Sequence, residues 1–344
     1  MAVLEEQPVI YFNLYPPLGT EDWEYTYAVA QVVTLEEKML SLAFLTEIAN
    51  APGFEAAIEM LSGTEYAISS SASFEEIERM LCGIRGEVRD LFKQLVFDKK
   101  IVEFMMARTD FANMRLVIRR LVQEKPLGLD YCDSGNIPIE EFEQVFEQED
   151  YSTLPVYLQE GVDAGVLGYY KNRNVRDIDI AIDKAEAQCQ LENAKKIGSI
   201  FLVELQKMYI DLNNIRTMLR IKFTRSEDTD VFMPGGYIDS AKLIGCIDIG
   251  YETISQAFLA TPYWHIVEAG ASYLRKENSF LKLEAACDEH LLGFLKTTGE
   301  ITAGYQPIIA YLLVKEHEIR MVRMLLTAKR NSLEPGLILD RLVV

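Results

Sequence analysis

Two stretches of this chain carry the same polar groups at the same spacing. Asp110, Asn113, Arg115 and Arg119 match Asp211, Asn214, Arg216 and Arg220, an Asp-x2-Asn-x-Arg-x3-Arg pattern. The chemistry open to these residue types is ionic recognition. A guanidinium is a planar fork of donors that stays charged, so it holds carboxylates and does not shuttle protons. A third, looser copy, Lys315-Glu-His-Glu318-Ile-Arg320-Met-Val-Arg323, keeps the central Arg320. It sets Lys315 where the Asp stood and Glu318 where the Asn stood, and moves the trailing arginine by one position. Arg115 and Arg119, like Arg216 and Arg220, are four apart and share a helical face. Asp110 and Asp211 precede the first arginine by five and lie roughly 140° away around an ideal helix. A bridge within the helix is therefore poor, and the pattern predicts that each arginine pairs with a carboxylate on a neighbouring helix. The competing reading is that the three copies face inward or toward a partner.

Other chemistry finds little support. The five cysteines, Cys82, Cys132, Cys189, Cys246 and Cys287, form no CxxC pair and read as buried reduced thiols. His265, His290 and His317 lie far apart and outside any ligand spacing. His317, between Glu316 and Glu318, reads as part of a solvated charged turn, because adjacent helical residues point to different faces. Asp177, Asp179 and Asp183 superficially resemble a calcium loop, but Ile182 and Gln188 stand where that loop needs Gly and Glu. The glycines form no phosphate-cradling motif. No metal, cofactor or catalytic residue is expected.

The elements that position the repeated groups read as helices. Met114, Val117, Ile118 and Leu121, and Met208, Leu212, Ile215 and Leu219, each make an apolar stripe on one helical face, and Ile308, Leu312, Ile319 and Val322 continue it in the last copy. Matching helical stretches precede them at Phe74 to Val96, Val175 to Lys196 and Phe280 to Lys296. Pro/Gly breaks follow them at Lys125-Pro126-Leu-Gly128, Met233-Pro234-Gly235-Gly236 and Glu334-Pro335-Gly336. Self-similarity at about a hundred residues means one unit was copied. We therefore expect an all-α chain with an N-terminal extension at 1–20 and three similar helical domains at 21–138, 139–238 and 239–344.

Composition fits a folded protein, with 49% hydrophobic and 25% charged residues. The apolar run Pro307 to Val314 is less than half of the roughly 20 residues that a membrane span needs. Glu5 and Glu6 stand where a signal peptide wants basic residues, so a cytoplasmic location is expected. A formal charge of -19 argues against nucleic acid and bare anionic lipid as partners, both of which select clustered Lys and Arg. It leaves a basic protein surface as the attractive partner, with solubility alone as the plain alternative reading of the same charge.

Taken together, Tyr25-Thr-Tyr27-Ala28, the Asp110 to Arg115 and Asp211 to Arg216 phrases, and the closing Pro307-Ile-Ile-Ala-Tyr311-Leu-Leu-Val-Lys315-Glu-His-Glu318-Ile-Arg320 resemble the C subunit of archaeal and bacterial V/A-type rotary ATPases. That family is akin to the d subunit of the vacuolar ATPases, the AC39 family. The resemblance covers about residues 22 to 344, and the leading Met1 to Glu21 segment is longer than the family pattern. It implies a non-catalytic, all-helical funnel with pseudo-threefold symmetry, peripheral on the cytoplasmic face of the membrane. The funnel would receive the D and F subunits of the central shaft, sit as a monomer of the hetero-complex on the membrane proteolipid ring (c/K/L), and transmit torque. ATP chemistry and proton or sodium transport would then belong to other subunits. Arg115, Arg216, Arg320, Asp110, Asp211, Asn113 and Asn214 are the candidate structural or partner-contact residues. Two alternatives stay open: a helical scaffold for a soluble protein partner, and an enzyme with a carboxylate pair in a deep pocket.

Overall fold

The computed structural model describes residues 15–123, 135–148 and 150–343. Among them there are fourteen α-helices and no strand, so the protein is all-α. The first group comprises α1 (Thr26–Glu36), α2 (Leu42–Asn50), α3 (Phe54–Leu61), α4 (Phe74–Leu95) and α5 (Lys99–Val122). The second comprises α6 (Ile139–Gln148), α7 (Val156–Asn172), α8 (Val175–Ile197) and α9 (Ile200–Thr224). The third comprises α10 (Ser240–Ile247), α11 (Trp264–Glu277), α12 (Leu281–Lys296), α13 (Tyr305–Arg330) and α14 (Pro335–Leu339).

The long helices begin at caps written in the sequence. Ser73 and Glu76 form a reciprocal capping box at α4, with the Glu76 N–H donating to Ser73 Oγ at 3.2 Å and the Ser73 N–H to Glu76 Oε2 at 2.7 Å. Asp98 and Ser199 cap α5 and α9. Gly198, at φ 78°, ends α8 in the left-handed conformation and Ser199 starts α9 at once. Pro335 opens α14 at its first turn, so the last Pro/Gly break is also a helix start. The break at 125–128 and Cys132 lie outside the described residues.

The helices that carry the three copies of the phrase, α5, α9 and α13, are the signature helices, and each packs against the long helix that precedes a different one of them. Helix α5 packs on α7 and α8, α9 on α8, α10 and α12, and α13 on α1, α3 and α4 as well as α12. One apolar core runs through α1–α4, the start of α5, and α9–α13. A second, formed by α5 to α8, includes Phe111, Met114, Ile118, Phe142, Leu158, Ile178 and Ile182. Of the N-terminal extension, Tyr15 lies against the rings of His290 and Phe294, and Gln306 Nε2 donates to the carbonyls of Leu18 and Thr20, both at 3.1 Å. Cys246 and Cys287 are buried and Cys189 is half-buried, but Cys82 is exposed, which corrects the reading of it as a core thiol.

Candidate functional site

Asp110 on α5 is wholly buried, and four donors converge on it. They are the N–H groups of Asn136 (2.9 Å) and Ile137 (3.2 Å), Nδ2 of Asn136 (2.9 Å) and the Tyr157 hydroxyl (2.9 Å). Asp211 on α9, equally buried, accepts from the N–H groups of Tyr237 and Ile238, both at 3.1 Å, and from the Tyr263 hydroxyl. Burial raises the pKa of both carboxyls, Asp211 to about 7, while these donors favour the charged form. Each site has no room for one more carbon. A Cβ on Gly135 would lie 2.1 Å from Asp110 Oδ1, and a Cβ on Gly236 would lie 2.1 Å from Asp211 Oδ1. Asn214 clamps the following chain by donating from Nδ2 to the Met233 carbonyl (2.9 Å) and accepting the Met233 N–H at Oδ1 (2.8 Å). Asn113 is buried in the corresponding place on α5.

The third copy meets the same demand with different residues. Glu318 on α13, 1% exposed, accepts the Leu40 N–H (2.5 Å), the Tyr66 hydroxyl (2.7 Å) and the ammonium of Lys315. Ile137, Ile238 and Leu40 each stand two residues before a short helix, respectively α6, α10 and α2. Tyr66 and Tyr263 even share a local turn, each N–H donating to the hydroxyl of a threonine two residues earlier. The charged run 315–318 is therefore not a solvated turn. Lys315 and His317 are each 2% exposed; Lys315 stands where the buried aspartate stood and takes Glu318 and Glu65 as counterions, and His317 Nε2 donates to the Val343 carbonyl.

The arginines pair across helices. Arg115 meets Asp183 directly, with Asp179 at 3.9 Å and Glu186 at 3.7 Å on α8, and Arg119 binds Asp179. Arg216 meets Glu284 (2.6 Å) and Asp288 (3.3 Å) on α12, and Arg220 meets Glu284 (2.7 Å). Arg323 meets Glu78 on α4 at 3.0 Å. Arg320 has no carboxylate partner within 4 Å among the described residues, so it departs from the pairing expected of all three central arginines. Sequence reading also missed the tyrosines, the paired glycines and Arg108. The recurring Thr-x-Tyr at 64–66 and 261–263 was the available signal.

Asp183 and Glu186 line a cavity of about 480 Å³ together with Arg108, Arg216 and Arg320. Burial raises the pKa of both carboxyls, Glu186 to about 7. The Arg115 guanidinium reaches both, so the two carboxylates are held by one shared cation. No group of three His, Cys, Asp or Glu side chains among the described residues is placed to share a metal ion.

The sequence model of the ATP synthase (C/AC39) subunit family matches residues 28–341. This chain belongs to that family. It is 26% identical over 341 residues to the C subunit of the A-type ATP synthase of Thermococcus kodakarensis, covering 92% of this chain and 90% of the relative. It is 24% identical over 279 residues to the C subunit of the V-type sodium ATPase of Enterococcus hirae, covering 79% and 84%. With the C subunit of the A-type ATP synthase of Methanocaldococcus jannaschii it shares 22% over 344 residues, covering 90% and 84%. The AC39 match begins at Ala28, after the extension, and takes in all three signature helices. No described helix of this ATP synthase subunit is long and apolar enough to cross a membrane.

Proposed function

We propose that this chain is the non-catalytic central-stalk subunit that seats the shaft of a V/A-type rotary ATPase on its membrane proteolipid ring and transmits torque between them. The observation that carries this reading is the return of α13 to the start of the chain. Glu318 holds Leu40 and Tyr66 as Asp110 holds Ile137 and Tyr157, and as Asp211 holds Ile238 and Tyr263. Three copies joined by one repeated contact, with the last bound to the first, support the reading of a closed ring with pseudo-threefold symmetry. A closed ring resists shear in either sense of rotation, because no copy has a free edge. Its units are residues 21–138, 139–238 and 239–344, each contributing the signature helix that locks the next. Torque transfer needs stiffness, which close packing and buried, satisfied ionic anchors supply. The D and F subunits of the shaft occupy the central cavity, the ring lies on the opposite face, and the complex sits on the cytoplasmic side.

The test is recovery of partners. A tagged chain expressed in its own host and captured from detergent-solubilised membranes is expected to bring down the proteolipid and shaft subunits in fixed ratio. Capture of soluble proteins alone would replace this reading with that of a helical scaffold.

A further inference from the structure

The three signature helices meet their partner helices by the same register, and one of the three meetings is short of a carboxylate. On α8, Asp179 is followed one turn later by Asp183 and then by Glu186; on α12, Glu284 is followed by Asp288. On α4, Glu78 keeps the first position and holds Arg323, but Cys82 and Arg85 stand at the next two. Arg320, in register with Arg115 and Arg216, thus faces a helix that offers it no acid.

The consequence is a local excess of positive charge. A cavity of about 190 Å³ has Arg85, Arg89, Arg108 and Arg320 in its lining, and Arg108, Tyr209, Asp288, Leu291 and Arg320 also border the larger cavity. Four other arginines of these walls are compensated. Arg89 pairs with Glu316 (2.6 Å), Arg341 with Asp288 (2.6 Å), and Arg216 and Arg220 pair with Glu284. Three have no ion pair within 4 Å among the described residues. Arg108 donates to Gln206 Oε1 (2.9 Å) and lies 3.8 Å over the Tyr209 ring, with Glu186 near enough to feel its charge. Arg320 donates one N–H to His317 Nδ1 (3.2 Å), and the His317 Nε2–H donates to the Val343 carbonyl at 2.8 Å. Arg85 Nε is buried with no acceptor at all, as is Arg341 Nη1. The same field contributes to keeping His317 neutral, since Arg320 and Arg341 add to burial in lowering its pKa.

Arg320 is exposed and Arg85 and Arg108 are half-buried, so three guanidinium charges without a counterion among the described residues border one cavity, and the buried Arg85 Nε is a donor whose desolvation an anion would offset. We propose that Arg320, Arg85 and Arg108 form an oxoanion site, filled in the assembly by a carboxylate side chain of the partner seated in the cavity. The guanidinium fork matches a carboxylate in two parallel hydrogen bonds, and the small cavity admits a side chain but no folded domain. On a chain of net charge -19, such a site would mark one orientation of an acidic tip and refuse others. The identity of the supplier rests on the function proposed above; the anion site itself does not.

Calorimetric titration of the isolated chain at low salt separates the two, with citrate as the carboxylate probe and inorganic pyrophosphate as the phosphate probe. Citrate is expected to bind, and Arg320→Gln and Arg85→Gln to weaken it about tenfold or more, as loss of a charge-assisted hydrogen bond does. Arg320→Lys is expected to recover part of the loss, and Arg79→Gln, on an exposed arginine of α4, to change nothing. Equal citrate affinity in Arg320→Gln and Arg79→Gln, or no citrate binding by the unmodified chain, would overturn the site. Pyrophosphate binding more tightly than citrate would overturn the carboxylate assignment in favour of a free phosphate ligand. In the membrane capture, Arg320→Glu is expected to lose the shaft while keeping the ring, and retention of the shaft would refute the partner's carboxylate. If the unmodified chain captures neither while still binding citrate, the proposed function fails and the anion site stands.

Discussion

The hydroxyl of Tyr66 stands 2.7 Å from Oε1 of Glu318, 252 residues away, and through it the first segment of the chain is fastened to α13. Both residues are buried. Tyr66→Phe keeps the ring and removes one of three donors to Glu318, so it is expected to lower the unfolding free energy by about 1–3 kcal/mol. Glu318→Ala also strips the buried Lys315 of its inner counterion and should cost about 3–5 kcal/mol. Urea denaturation followed by circular dichroism reads both. Equal, negligible losses would mean that this contact does not hold the chain ends together.

Gly135 and Gly236 are expected to tolerate no side chain. The Cβ of Ala at either position would fall inside the aspartate that the loop is bound to, and Asp110 or Asp211 would have to leave its backbone donors. A loss of about 1–3 kcal/mol is expected for Gly135→Ala and for Gly236→Ala, the cost of a buried acceptor left unpaired. Gly86, whose Cβ would meet nothing within 4 Å, is the control, and Gly86→Ala on the helix α4 should be neutral or slightly stabilising.

Much of this framework was legible in the sequence because it rests on local rules. Apolar stripes at helical spacing, the Pro/Gly breaks and the repeated Asp-Asn-Arg phrase placed the long helices, and the 140° offset between Asp110 and Arg115 foretold that the arginine pairs elsewhere. What could not be read was which helix supplies the carboxylate, since Arg115 meets α8 while Arg323 reaches back to α4 through a contact set by packing alone. The third copy misled for a related reason. Lys315, His317 and Glu318 look like surface residues by type, and their burial follows only once Tyr66, Leu40 and Glu65 are brought to them. The uncompensated Arg320 became visible only when Cys82 and Arg85 were seen opposite it.

Arg216 should show the difference between a fork and a point charge. It touches Glu284 at 2.6 Å and Asp288 at 3.3 Å while largely buried, a geometry that a lysine ammonium cannot reproduce. Arg216→Lys is expected to destabilise by about 1–2 kcal/mol, and a double-mutant cycle with Glu284→Gln to give a coupling of about 0.5–3 kcal/mol. The exposed Arg220, sharing Glu284, should couple less. Strict additivity of Arg216→Lys and Glu284→Gln would show that the contact carries no net energy.

His290 links stability to acid. It packs against the rings of Tyr15 and Tyr263, its Nε2 is buried without a hydrogen-bond partner, and burial pushes its pKa down to about 4. The unfolded chain takes up this proton near pH 6.5 and the folded chain only near pH 4, so between those values the unfolded state binds more protons and stability falls as the pH falls. His317, whose pKa burial also lowers, acts in the same direction. The fall attributable to His290 is about 3 kcal/mol across the window, following from about 1.4 kcal/mol for each pH unit. His290→Phe preserves the aromatic packing and removes the titration, so its unfolding free energy should vary less with pH between 4 and 6.5 by the slope of one proton. Denaturation at half-unit steps of pH makes the comparison. An unchanged slope in His290→Phe would place the acid sensitivity elsewhere and show that the folded protein accommodates a charged imidazole between Tyr15 and Tyr263.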